Sequence, residues 1–123
     1  MIGPLADDPL AFFGCYTMPR HLASTDGAGV EVTTLLGALR AELPDVVHAR
    51  GCDVRTADRS GFAAAVASAR SAEKIVAVVG DEAGLFGRGT SGEGCDVTEL
   101  RLPGVQQVFL LSLIHISEPT RPY

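Results

Sequence analysis

The chain has 123 residues, of which 46% are hydrophobic and 20% charged, with a formal net charge of −5. That length holds one domain at most, or part of one, and the apolar fraction excludes a disordered chain. Its ten Lys and Arg residues are scattered through an acidic sequence, which excludes a basic nucleic-acid-binding face.

Met1-Ile2 read as the end of a strand closed by Gly3-Pro4. No basic and apolar signal region precedes them, and the natural start is expected to be missing. Leu5 to Gly14 is a loop bearing Asp7, Asp8, Phe12 and Phe13, with Tyr16 just beyond. Its rings either pack on the domain surface or form a wall for a sugar, whose C–H faces stack on aromatics. Residues 19–30, rich in Pro, Ser, Thr and Gly, predict an exposed connection.

Val32, Leu35, Leu36, Leu39 and Leu43 then recur at helical spacing, predicting a helix over 33–43 with Thr33 as N-cap and Pro44 as its stop. Val46 to Ala49 predicts a short strand. His48 within it has no partner at metal-ligand spacing and reads as a partly buried side chain. A second helix is predicted over 60–73, capped by Ser60, with Phe62, Ala65, Val66 and Ala69 on one face. Ile75 to Val79 is an unbroken apolar run, the pattern of a buried strand.

Strand, helix, strand, helix, strand predicts an α/β chain with a parallel sheet and helices on its faces. In such sheets, binding groups gather on loops leaving the carboxyl ends of the strands. Asp7 and Asp8 leave the first strand, Asp53 the second, and Asp81, Glu82 and Glu93 the third. The site is expected on that acidic edge.

The third of these loops, Gly80 to Asp96, holds six glycines, four carboxylates and Arg88. So many glycines predict a mobile loop kept for chemistry. Gly87-Arg88-Gly89-Thr90-Ser91-Gly92 matches the dinucleotide fingerprint, but Asp81 to Phe86 separate it from the strand and Pro103 soon interrupts the next segment. A GK[ST] phosphate loop is excluded too, because the only lysine is Lys74. Cys15, Cys52 and Cys95 are odd in number and widely spaced, which fits buried thiols rather than a disulfide framework or a zinc site.

Gly89-Thr90-Ser91-Gly92-Glu93-Gly94-Cys95-Asp96 followed by Leu100-Arg101-Leu102-Pro103-Gly104-Val105-Gln106-Gln107 resembles the second domain of glycoside hydrolase family three, the β-glucosidases and β-xylosidases. Ile2 to Asp8 and Ala49-Arg50-Gly51-Cys52-Asp53 resemble other blocks of that domain in the same order. The resemblance implies that residues 1–107 are part of a layered α/β(α) sandwich with a mostly parallel sheet, truncated at both ends. It also implies a retaining β-glycosidase that uses no cofactor or metal and acts on a β-linked glucoside or xyloside; the acidic, scattered charge speaks against nucleic acid as a partner, and the shortness of the apolar runs against a membrane.

In that resemblance Glu93 is the general acid/base. Its flanking glycines let the backbone carry a bare carboxyl outward, and closure of a neighbouring domain over it would supply the dry surroundings a general acid needs near neutral pH. The nucleophile belongs to a preceding (β/α)8-type barrel, and no carboxylate of this chain matches it. Arg88, Asp81 and Asp96 are candidate sugar-binding residues. Arg88 either holds a sugar hydroxyl, pairs with Asp81 or faces solvent. Asp81 either receives a hydroxyl, tethers the loop or caps the strand end. Where the family pattern has arginine after Asp96, this chain has Val97, which weakens an ion-pairing role there. A competing reading is a non-catalytic α/β module, receiver-like or holding Mg²⁺ with Asp7, Asp8 and Asp53.

Residues 108–123 depart from the pattern, and Leu111 to Tyr123 resemble translated sequencing-adapter sequence, so this end reads as a non-native tail. The alternative is a genuine strand. The apolar run Val108 to Ile116 is far short of the roughly 20 residues that cross a membrane.

Overall fold

A computed structural model describes residues 1–23, 26 and 30–117. Among these residues four α-helices form: α1 (Met18–Leu22), α2 (Leu35–Glu42), α3 (Phe62–Arg70) and α4 (Gln106–Ser117), with a 3-10 turn at Pro9–Phe12. Between them, three extended segments meet in parallel around Ile2, which bridges Ala49 on one side and Ala77 on the other. Ile2 donates its N–H to Val76 O at 2.8 Å and accepts from Val78 N at 2.7 Å, while Gly3 N donates to Ala49 O at 3.1 Å. Among the described residues this pairing amounts to isolated bridges rather than continuous strands. The apolar run 75–79 is not buried as its sequence predicts; Val76 is 47% exposed.

One core gathers Ile2, Cys52, Ala65, Ala69, Val105, Phe109 and Leu113. It forms where α3 lays its predicted apolar face on α4, and Phe62 meets Phe109 with ring centroids 5.0 Å apart. Phe109 also decides what Gly51 must be. That residue has φ +75°, and a Cβ there would sit 2.0 Å from the Phe109 ring. Only glycine fits both demands.

Several helix ends differ from their predicted positions. The cap of α2 is Thr34 rather than Thr33: its Oγ1 accepts from Gly37 N at 3.0 Å and donates to Asp7 Oδ1 at 2.8 Å. Of the face predicted for α2, Leu36 is buried, while Leu35 and Leu43 are exposed. Helix α3 starts after Gly61, and Ser60 is no cap because its N–H and hydroxyl both go to Asp58. Part of the predicted connection 19–30 is helical in α1, where Pro19 suits a first helical turn. The rest of it at 24–25 and 27–29, like the end of the tail at 118–123, lies outside the described residues. The stretch 108–117 is helical, where the alternative to a tail was a strand.

Gln106, at the start of α4, is fully buried. Its Nε2 donates to Gly80 O at 2.8 Å, Val54 O at 3.1 Å and Pro103 O at 3.2 Å, and its Oε1 accepts from Gly80 N at 2.9 Å. One amide thus satisfies backbone groups at the ends of two extended segments and in the turn before α4. Its loss would leave buried polar groups without partners, which is the costly case. Gln106→Leu is expected to lower unfolding free energy by about 2 kcal/mol or more in urea melts. Gln107→Leu, on the exposed neighbour, should stay within about 0.5 kcal/mol.

Candidate functional site

The glycine-rich loop begins at Gly80, whose N–H and C=O are both held by Gln106. Beyond it the chain folds back on itself. Thr90 N donates to Glu82 O at 2.8 Å, Gly84 N to Ser91 O at 2.9 Å, and Phe86 N to Glu93 O at 2.8 Å. The Thr90 hydroxyl accepts from Glu82 N at 2.8 Å and donates to Asp81 Oδ1 at 2.9 Å. The glycines therefore serve close backbone approach, not the looseness their number predicts. Gly92 shows why: its φ is +119°, and a Cβ there would meet Gly84 O at 2.2 Å and Cys15 Cβ at 2.8 Å.

At the far end of this doubled loop stand Phe86 and Glu93. Phe86 is 73% exposed and holds φ +55°, a strained backbone for an aromatic residue. Glu93 is exposed, between Gly92 and Gly94, and its Oε2 accepts the hydroxyl of Tyr16. The hydrogen bond to the Glu93 carboxylate holds the Tyr16 phenol above its ordinary value, with smaller contributions from lost hydration and from the charges of Glu93 and Cys15.

Two open clefts flank the base of the loop. One, of about 510 Å³, is lined by Asp7, Asp8, Asp53 and Glu82 together with His48, Arg50 and Arg55. Four of the six carboxylates assigned to the acidic edge do converge there; Asp81 and Glu93 do not. The second, of about 860 Å³, takes Asp81 and Asp96 along with Arg55, Thr90, Glu99 and Arg101.

Glu82, in the first cleft, pairs with Arg55, which lines both. Oε2 of Glu82 lies 3.1 Å from Arg55 Nε and its Oε1 3.6 Å from Nη1 of Arg20, a side chain only 5% exposed. Sequence reasoning passed over this pairing, because Arg20 and Arg55 lie far from Glu82 along the chain.

Arg88 is exposed, and no ion pair joins it to Asp81 among the described residues. What Arg88 supplies is its carbonyl, which accepts from Arg55 Nη1 at 2.9 Å. Asp81 is held by the Thr90 hydroxyl instead, the tethering alternative. His48 lines the first cleft with Nε2 buried and unbonded.

Among the described residues no three His, Cys, Asp or Glu side chains stand where they could share a metal ion. In the first cleft Glu82 and Asp53 already face arginines, the latter 3.0 Å from Arg50. The Mg²⁺-holding alternative gains nothing from this geometry.

No protein-family model matches the chain. Over 118 residues, 94% of the chain, it is 30% identical to a β-xylosidase of Formosa agariphila. The similarity is to a glycoside hydrolase. The chain spans 15% of that protein's length.

Asp53 gives the cleft a pH signature. The backbone N–H of Arg55 bonds its carboxylate at 3.0 Å and, against an opposing effect of burial, holds its pKa below the ordinary carboxylate value, with smaller help from the charge of Arg50, the Thr56 N–H and the charge of Arg55. The folded chain therefore binds fewer protons here than the unfolded one. The resulting stability is present above about pH 4 and lost as pH falls through the lowered pKa. Asp53→Asn is expected to melt at a lower temperature than the parent at pH 7, the gap closing as the solution is acidified below pH 4. A gap independent of pH would contradict that role.

Proposed function

We propose that the chain is a piece of a retaining β-glycosidase of β-xylosidase or β-glucosidase type, and that it contributes the general acid/base Glu93. The observation that carries this reading is the placement of Glu93. A hydrogen-bonded, glycine-framed loop holds its carboxylate in the open, at the end away from the packed base, and no cation pairs with it among the described residues. The similarity to a β-xylosidase supports the reaction class.

Glycoside hydrolysis with retention needs a second carboxylate about 5–5.5 Å away across the anomeric carbon. In this proposal a preceding barrel domain brings that nucleophile, and the exposed carboxylate is held out for its cleft. The parallel pairing at Ile2 supports placing residues 1–107 in a layered α/β(α) sandwich, with the glycine-rich loop leaving its third extended segment. Asp96 and Asp81, the latter with Oδ1 held by Thr90, share one cleft and are the sugar-facing carboxylates of the proposal; Arg88, the third candidate, is exposed on the same loop and does not line that cleft.

During the first step Glu93 gives its proton to the leaving oxygen as the glycosidic bond breaks. In the second it takes a proton from the attacking water. Substrates that leave well need no acid in the first step. In an intact enzyme carrying this segment, Glu93→Gln is expected to slow hydrolysis of poor leaving groups by about a hundredfold or more and to slow the first step of dinitrophenyl glycosides far less. Equal loss on both would contradict the acid role. The 123-residue chain alone is expected to show no turnover of aryl β-glucosides or β-xylosides, because it holds half of the catalytic pair.

A further inference from the structure

Glu93 alone among glycines would be free to turn; a second segment of the chain stops it. The turn at residues 14–17 is closed by Thr17, whose N–H and Oγ1 both donate to Gly14 O, at 3.2 and 2.7 Å. This turn and α1, which follows it, are seated on the glycine-rich loop at three points. Arg20 reaches Glu82 at 3.6 Å while donating to Leu10 O at 2.6 Å. The Cys15 side chain lies against Gly92, so closely that a Cβ on Gly92 would be 2.8 Å from Cys15 Cβ. One residue further on each side, the Tyr16 hydroxyl meets Glu93 Oε2.

Resting on the acid/base reading of Glu93, we infer that Tyr16 is its positioning residue, holding Oε2 by a hydrogen bond so that Oε1 is the oxygen that passes the proton. When the glycosidic bond breaks, its electron pair stays on the leaving oxygen, Oε1 delivers the proton there, and the carboxylate left behind keeps the Tyr16 hydrogen bond. When water attacks the glycosyl intermediate, Oε1 takes the proton back. A hydrogen bond donated by a neutral phenol fixes the rotamer without adding a cation that would trap the carboxylate as an ion pair. The other titratable groups at this contact are two thiols: Cys15 beside the phenol, and Cys95, whose Sγ lies 3.8 Å from the Glu93 carbonyl.

The contact can be read directly in the 123-residue chain, which has two tyrosines and no tryptophan. With Tyr123→Phe as background, tyrosinate absorbance reports Tyr16 alone. The Tyr16 phenol is expected to ionise at higher pH than free tyrosine, and Glu93→Gln should bring its midpoint down. In an intact enzyme, Tyr16→Phe is then expected to lower kcat about tenfold with little change in KM, since it misplaces a reacting group rather than removing substrate contacts.

An equal Tyr16 midpoint with and without Glu93→Gln overturns the inference, and leaves the acid role of Glu93 standing if the leaving-group dependence is still seen. A shifted midpoint in a protein whose Glu93→Gln variant hydrolyses poor leaving groups normally overturns it differently: the contact exists, and it positions no catalytic acid. An unchanged kcat in Tyr16→Phe overturns it as well.

Discussion

A single side-chain amide fixes the origin of the glycine-rich loop in this chain. Gln106 is buried at the start of α4, where it accepts from Gly80 N and donates to the carbonyls of Gly80, Val54 and Pro103. These groups terminate backbone segments deep in the fold, and buried polar groups must be paired. The two extended segments leading to Val54 and Gly80 are thereby fixed to the helix that also supplies Phe109 and Leu113 to the core. Packing and polar satisfaction meet at one residue, so the loops that leave from there start from defined positions.

From that origin the glycine-rich loop is built outward by backbone hydrogen bonds, with the Thr90 hydroxyl stitching its two limbs. Cations are concentrated at its base, where Arg20 and Arg55 share Glu82, while at its end the Glu93 carboxylate meets a phenol. This separation matters for function. A carboxylate locked to arginine is a poor proton donor, because the cation favours its ionised form. The loop pairs Glu82 with two arginines and leaves Glu93 without a cation among the described residues, as the proposed acid role requires.

The apolar face of α3, Phe62, Ala65, Val66 and Ala69, was legible in the sequence, since periodicity is a local signal. The convergence of Asp7, Asp8, Asp53 and Glu82 was legible too, through the rule that loops gather at one edge of a parallel arrangement. Other features were not. Thr33 and Thr34 are equal as caps in sequence, and it is Thr34 whose hydroxyl accepts from Gly37 N while donating to the distant Asp7. Ile75 to Val79 has the composition of a buried strand, but burial depends on what covers it, which composition does not encode. The Tyr16–Glu93 contact joins residues 77 positions apart, beyond any spacing pattern. The backbone pairing inside the glycine-rich loop was not legible either, because glycine permits close approach of backbones as readily as freedom.

The most direct measurement of Glu93 as the proton-transferring carboxylate is chemical rescue of an intact enzyme carrying Glu93→Ala. Removing the carboxylate stalls the glycosyl intermediate, and azide, an anion that needs no general base, can then attack in place of water. With a dinitrophenyl β-glycoside as substrate, azide should restore turnover and give the β-glycosyl azide. Formation of the α-glycosyl azide, which would make Glu93 the nucleophile, or absence of any rescue would contradict the assignment.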